Sequence, residues 1–345
     1  MKQRRLVGVV GLCGALLSVA CTDRAPSNRL TVAISPYQDI AMLVAAPAQG
    51  FDTASGVSLD LRSMPWEEIP SSVASAAGAV DVGFASLAEY LTKQGRMNAG
   101  TTDSLLFIYP LYVYRGGGFV SFLPNVPVLD SVRLKDVATV RKFLSMRIGA
   151  QRNSIYEMIV DALGARVGDS TAATKIIDTQ LNDGLLAAEK GSLDIAAAGL
   201  TQLAEAEKRG GRTVLRMDDL GFADITGLLV RRSVLDKKRP QIEGLIRAWF
   251  ASVNFVMADI EKNSAASLVY LKRNAATQYT LEQYTSALAP EYLPTNIAEA
   301  TASFITPGGR YDASQIANRM ADYLVRTKKV SSRPIAPTYI HIPPK

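Results

Sequence analysis

The sequence predicts an α/β protein of two similar lobes joined by a hinge and followed by a C-terminal helical segment. Three observations carry this expectation. A strand, loop and helix plan occurs twice at nearly one spacing, three consecutive glycines lie between the halves, and the last third reads as amphipathic helices.

Residues 1–20 read as an export leader. Lys2, Arg4 and Arg5 precede an apolar run, Leu6 to Ala20, that is too short to span a bilayer and ends in small residues. Leu17-Ser18-Val19-Ala20-Cys21 resembles the bacterial lipoprotein cleavage motif, with Ser18 where leucine is commoner. Cleavage there makes Cys21 the lipid-attachment residue, and residues 21–29 a tether to the outer face of a membrane. Ordinary cleavage leaving an exported thiol is the alternative.

Cys13 departs with the leader, so the remaining chain has one cysteine and no internal disulfide. Its roughly 320 residues are enough to be stable on packing alone. The formal charge of +6 includes the three leader cations, so about +3 remains, spread over mixed-sign helices. That pattern argues against nucleic acid as a partner. His341 is the only histidine, and an acylated Cys21 leaves no free thiol. Zinc sites built from His or Cys, a Ser-His-Asp triad and Cys-His catalysis are therefore excluded, and no cofactor is called for.

The first lobe, 30–114, opens with the β-prone run Leu30 to Ser35, a turn over Pro36-Tyr37-Gln38-Asp39, and a helix from Ile40 to Gln49 closed by Gly50. The second, 115–224, repeats this as Met146 to Ala150, a loop over Gln151-Arg152-Asn153-Ser154, and a helix from Ile155 closed by Gly164. A second pair matches as well: Gly78-Ala79-Val80-Asp81-Val82-Gly83 and Gly191-Ser192-Leu193-Asp194-Ile195-Ala196. The offset is 113 residues for Asp81 and Asp194 and about 116 for the first strands.

Between the copies, the strand Leu106 to Tyr114 leads into Arg115-Gly116-Gly117-Gly118. Glycines permit backbone angles that other residues avoid, so Gly116, Gly117 and Gly118 are expected to bend a crossover. The chain is expected to return through Asp224-Ile225-Thr226, with Asp224 on the hinge; residues 225–345 then complete the first lobe and form the helical tail. Trp249, Phe250, Phe255, Tyr270 and Tyr284 in that tail read as packing residues.

At this point the residues resemble a known family. Tyr37-Gln38-Asp39, the helix end Gln49-Gly50-Phe51, the run Gly56-Val57-Ser58-Leu59-Asp60-Leu61, Trp66 and Val80-Asp81-Val82-Gly83 look like the solute-binding proteins of ABC importers for sulfonates, taurine, nitrate and thiamine precursors. Their order carries the resemblance, over roughly Leu30 to Val230. It implies two Rossmann-like lobes in the type 2 periplasmic-binding-protein arrangement. It also implies a non-enzymatic, monomeric receptor that closes on a small polar or anionic organic solute and delivers it to a membrane permease. Ala198-Gly199-Leu200-Thr201 departs from the acidic residue and proline common there.

In open α/β sheets ligands sit beyond the carboxyl ends of the strands. This nominates Ser35, Tyr37, Gln38, Pro65, Trp66, Ala85 and Ser86 from the first lobe. Asn153, Ser154, Gly199 and Thr201 come from the second. Helix starts present free N–H groups suited to a sulfonate, nitrate or carboxylate, but Ser86, Asn153 and Ser154 serve equally as caps of their own helices. Tyr37 and Trp66 read as flat walls or as packing between lobes, and Arg115 and Asp224 as a mutual or solvated ion pair unless a ligand intervenes. The competing class is an exported carboxylate-dependent enzyme using Glu67 or Glu68 with Asp39; acidic pairs at a helix start otherwise serve its dipole.

Overall fold

The computed structural model describes residues 28–75, 79–220, 224–275 and 279–342, with the backbone alone at Thr201 and Asp218. The leader, Cys21 and the tether up to residue 27 lie outside the described residues. The described strands are β1 (Arg29–Ile34), β2 (Ser58–Ser63), β3 (Val82–Ser86), β4 (Leu105–Tyr114), β5 (Gly118–Ser121), β6 (Ile148–Ala150), β7 (Ile177–Asp178), β8 (Ile195–Ala198), β9 (Arg212–Arg216) and β10 (Asp224–Arg231).

They form two five-stranded sheets, ordered β2-β1-β3-β10-β4 and β7-β6-β8-β5-β9. The two orders follow one plan. In each sheet a central strand pairs in parallel with two neighbours, β1 with β2 and β3, and β6 with β7 and β8. An antiparallel strand then arrives from the other half of the chain, β10 between β3 and β4, and β5 between β8 and β9. The chain therefore passes from one sheet to the other between Tyr114 and Gly118, and back between Arg216 and Asp224.

The repeat seen in the sequence has a structural cause. Asp81 accepts the Thr31 N–H of β1 at 2.8 Å, and Asp194 accepts the Arg147 N–H ahead of β6 at 2.8 Å. Each aspartate also donates its own N–H to the carbonyl of that same residue. One carboxylate thus ties the start of the central strand to its neighbour in both lobes.

Several local expectations are corrected. The helix beginning at Ile155 runs past Gly164 to Val167 and stops at Gly168, whose φ of 76° suits glycine. Gly164 is a packing glycine, since a Cβ there would fall 2.4 Å from the Asp169 carbonyl oxygen. Gly116, Gly117 and Gly118 do not use left-handed backbone angles. Space is what they supply: added Cβ atoms would lie 2.0 Å from Leu200, 2.7 Å from the Tyr156 hydroxyl and 2.3 Å from the Leu215 carbonyl oxygen.

The C-terminal helices pack on the first sheet. Trp249 is buried, stacks on Tyr112 at 5.8 Å and contacts Phe84, while Phe255 meets Phe51 edge-on. The tail after helix Ala313–Arg326 is tied down as well, through the Gln94 carboxamide to both backbone groups of Ile335 and through Ile340 N–H to the Ile108 carbonyl. Lys329 in this tail reaches Glu157 of the second lobe at 3.0 Å. The tail is therefore a third link between the lobes.

Candidate functional site

A cavity of about 110 Å³ lies between the two sheets and adjoins an outer chamber of about 440 Å³, with Tyr37, Trp66, Glu67, Leu181 and Gln202 lining both. The loop after β1 brings Tyr37, Gln38 and Asp39; the turn after β2 brings Trp66 and Glu67; and the end of β3 brings Ser86, with Glu89 one turn into the following helix. Tyr112 and Tyr114 of β4 and Asp224 and Thr226 of β10 add side chains two residues apart, so each pair shares one face of its strand. The second lobe contributes Gln151, Ser154, Ile155 and Tyr156, then Leu181, Gly199, Leu200 and Gln202.

Of the residues expected from sequence, Tyr37, Gln38, Trp66, Ser86, Ser154, Gly199 and Asp224 line the inner cavity. Ser35 and Pro65 line the outer chamber, where the Ser35 hydroxyl donates to the Met64 carbonyl. Ala85 does not line it; it is buried on β3 beside Ser86, and alternation along a strand sends it to the opposite face. Asn153 also lies elsewhere. It sits at φ 58° in a separate groove against Lys329 and its neighbours, because its N–H donates to Glu157 on that side. Thr201 falls in the first turn of helix Leu200–Lys208, and its side chain lies outside the described residues. The three crossover glycines are not among the lining residues.

The capping alternative separates the serines. Ser86 accepts the Glu89 N–H and caps its helix, while its hydroxyl donates to Asp224 Oδ2 at 2.5 Å. Ser154 gives its helix no side-chain cap; its hydroxyl donates to the Gln151 carbonyl at 2.6 Å. Asp224 meets the Ser86 hydroxyl, and the Arg115 N–H donates to Glu291. Trp66 is both wall and positioning group: its ring meets Tyr37 edge-on at 6.3 Å, and its indole N–H donates to Glu89 at 2.7 Å.

The electrostatics are one-sided. Asp39, Glu67, Glu89 and Asp224 line the cavity, and among the described residues no lysine, arginine or histidine does. Burial raises the Asp39 carboxyl, against bonds from Tyr112 and the Ile40 N–H. Burial likewise raises Glu89, opposed by Lys93 at 3.4 Å. Asp224 is raised by burial to about 7, with Ser86 pulling the other way and Glu89 adding to the rise. The phenols of Tyr112, Tyr114 and Tyr156 are pushed upward by burial, so all three remain neutral donors.

Glu89, Tyr112, Tyr114, Tyr156 and Gln202 were missed from sequence. The Tyr112 and Tyr114 pair had a readable signal, two tyrosines at strand spacing just before the glycines. Glu89 had a misleading one, since Ser86-Leu87-Ala88-Glu89 reads as a capping box. For the enzyme alternative, Asp39 Oδ1 accepts the Ile40 N–H at 2.9 Å, and Glu68 is not among the cavity-lining residues.

No family model matches the sequence, and no curated protein does. Solved structures do match. The periplasmic aliphatic sulphonate binding protein SsuA from Escherichia coli shares 14% identity at a TM-score of 0.64, over 90% of this chain and 96% of that one. The alkanesulfonate-binding protein SsuA from Xanthomonas axonopodis pv. citri, bound to MOPS, shares 14% at a TM-score of 0.65, over 90% and 97%. The fold is that of a periplasmic binding protein. The nitrate-binding protein NrtA from Synechocystis PCC 6803 has the same fold, at 13% identity and a TM-score of 0.65, over 89% and 83%. In the periplasmic-binding-protein fold the ends of both sets of parallel strands face one crevice, which is where Tyr37, Ser86, Ser154 and Gly199 meet here.

Proposed function

We propose that this chain is the extracytoplasmic solute-binding component of an ABC importer, closing two lobes on a small polar solute and presenting it to a membrane permease. The observation that carries the reading is the cavity lined from both sheets, between lobes joined by two short crossovers. Such an arrangement changes the distance between its walls by small rotations at the crossovers, so solute binding and lobe closure are one event. The fold's likeness to sulfonate- and nitrate-binding proteins supports the same reading. No described helix is long and apolar enough to cross a membrane, so attachment rests on the proposed acylation of Cys21. Two acyl chains hold a protein to a bilayer where one does so only marginally.

Small-angle scattering with panels of sulfonates, nitrate, carboxylates and amines tests the receptor. A bound solute reduces the radius of gyration by about an ångström and is recovered chemically intact. Turnover of the solute, or binding without compaction, rejects the reading. Cys21→Ser tests the anchor: release from the membrane fraction, or failure of processing, is expected. A mature form of this variant that still sediments with membrane rejects it.

A further inference from the structure

Resting on the receptor reading, we infer that the solute is a small organic cation with an N–H donor, held by Asp224 against the aromatic wall of the inner cavity. Its charge inventory is the first reason: carboxylates line it and no cationic side chain among the described residues does. An anion placed there would meet Asp224 and Glu89 with no opposing charge on the wall.

The second reason is a free acceptor. Asp224 is 6% exposed, its Oδ2 is taken by Ser86, and its Oδ1 is buried with no hydrogen bond of ordinary geometry, although the Ala88 N–H at the start of the next helix also faces this carboxylate. A buried carboxylate oxygen left unpaired is costly, and a protonated amine supplies both the missing bond and the missing charge. Two of the other three carboxylates are already engaged, and Glu67 is exposed to solvent. Glu89 receives Trp66 and Lys93, and Asp39 receives the Ile40 N–H.

The third reason concerns the N–H groups that would hold an anion. At three of the helix starts facing the crevice, Ile40 N–H goes to Asp39, Glu89 N–H to Ser86 and Leu200 N–H to the Tyr114 hydroxyl, while the helix starting at Ile155 has no side-chain cap. The dipole ends are therefore partly consumed by the protein's own oxygens. Tyr37 and Trp66 complete the cradle, since aromatic faces attract cations and suit a flat or partly apolar body. Asp224 lies on β10 beside Tyr114 of β4, with Ser86 of β3, Glu89 of the next helix and Tyr156 of the second lobe around it. An arriving cation is the charge this set lacks.

Calorimetry and thermal denaturation of the leaderless chain at pH 8 decide the matter. The amine probes are benzylamine, tyramine and 2-aminomethylpyridine; the others are benzyl alcohol, benzyltrimethylammonium, benzenesulfonate and nitrate. At least one amine is expected to bind and raise Tm, roughly tenfold or more tighter than the alcohol and the trimethylated analogue, which lack a charged N–H. Asp224→Asn removes this preference, whereas Glu282→Gln, on an exposed helix start, retains it. Binding of benzenesulfonate or nitrate that survives Asp224→Asn overturns the cation assignment and leaves the receptor standing. A chain stabilised by none of the seven overturns both.

Discussion

Replacing Asp224 by Asn stabilises the solute-free protein at pH 8 and has little effect at pH 4. The side chain keeps its shape and an oxygen that accepts from Ser86, so what changes is the ability to ionise. Burial lifts the carboxyl from its ordinary 3.8 to about 7. The folded protein therefore holds this proton to higher pH than the unfolded chain does, and folding takes up a proton between those values. Stability of the parent protein falls as pH rises through this window, and the full cost is present above about 7. At about 1.4 kcal/mol per pH unit, a gap of roughly three units amounts to about 4 kcal/mol, an upper figure because Glu89 titrates beside it. Below pH 4 both forms are neutral and the difference closes. Urea denaturation of the two proteins at half-unit steps from pH 4 to 9 measures it. A difference equal at both ends of that range would refute the argument, because it would mean that packing rather than charge separates Asp from Asn here.

Trp66→Ala deletes the wall opposite Tyr37 and the donor to Glu89, and is expected to weaken amine binding by ~1 to 3 kcal/mol with the fold retained; unchanged affinity by calorimetry would move the solute out of this cavity. Gly118→Ala drives a methyl to 2.3 Å from the Leu215 carbonyl, where β5 meets β9. A loss of about 1 to 3 kcal/mol in urea denaturation is expected, and a neutral result would show that the approach is looser. Lys329→Ala breaks the tail's ion pair with Glu157, whose carboxyl is held below its usual range by the Asn153 N–H, Lys329 and Arg152 despite burial. The solute-free protein should then expand by roughly an ångström in radius of gyration; scattering identical to the parent's would leave the tail with no hold on the lobes. Because that folded pKa is depressed, the hold is present at neutral pH and lost as pH falls through the acidic range, and scattering of the parent at pH 3 to 7 follows it.

The doubled lobe plan was legible in the chain because its signals are local. A strand run, a turn and an amphipathic helix each show within about a dozen residues, and Asp81 and Asp194 recur because each must hold the start of its own central strand. Six of the expected crevice residues converge for the same reason, since the carboxyl end of a parallel strand is readable wherever the strand is. Strands without a local signal were not readable: β7 is two residues long and exposed, and Gly164 looked like a helix end because no sequence shows that Asp169 folds back against it. Tertiary structure alone decided the chemistry of the crevice. Asp224 meets Ser86 across 138 positions and Trp66 meets Glu89 across 23, and Asn153 turns away because Glu157 captures its N–H. Whether a carboxylate is solvated, paired or left with an unused acceptor depends on which remote atoms surround it. That sum over the folded neighbourhood, not any property of Asp224 in the chain, makes the crevice suited to a cation.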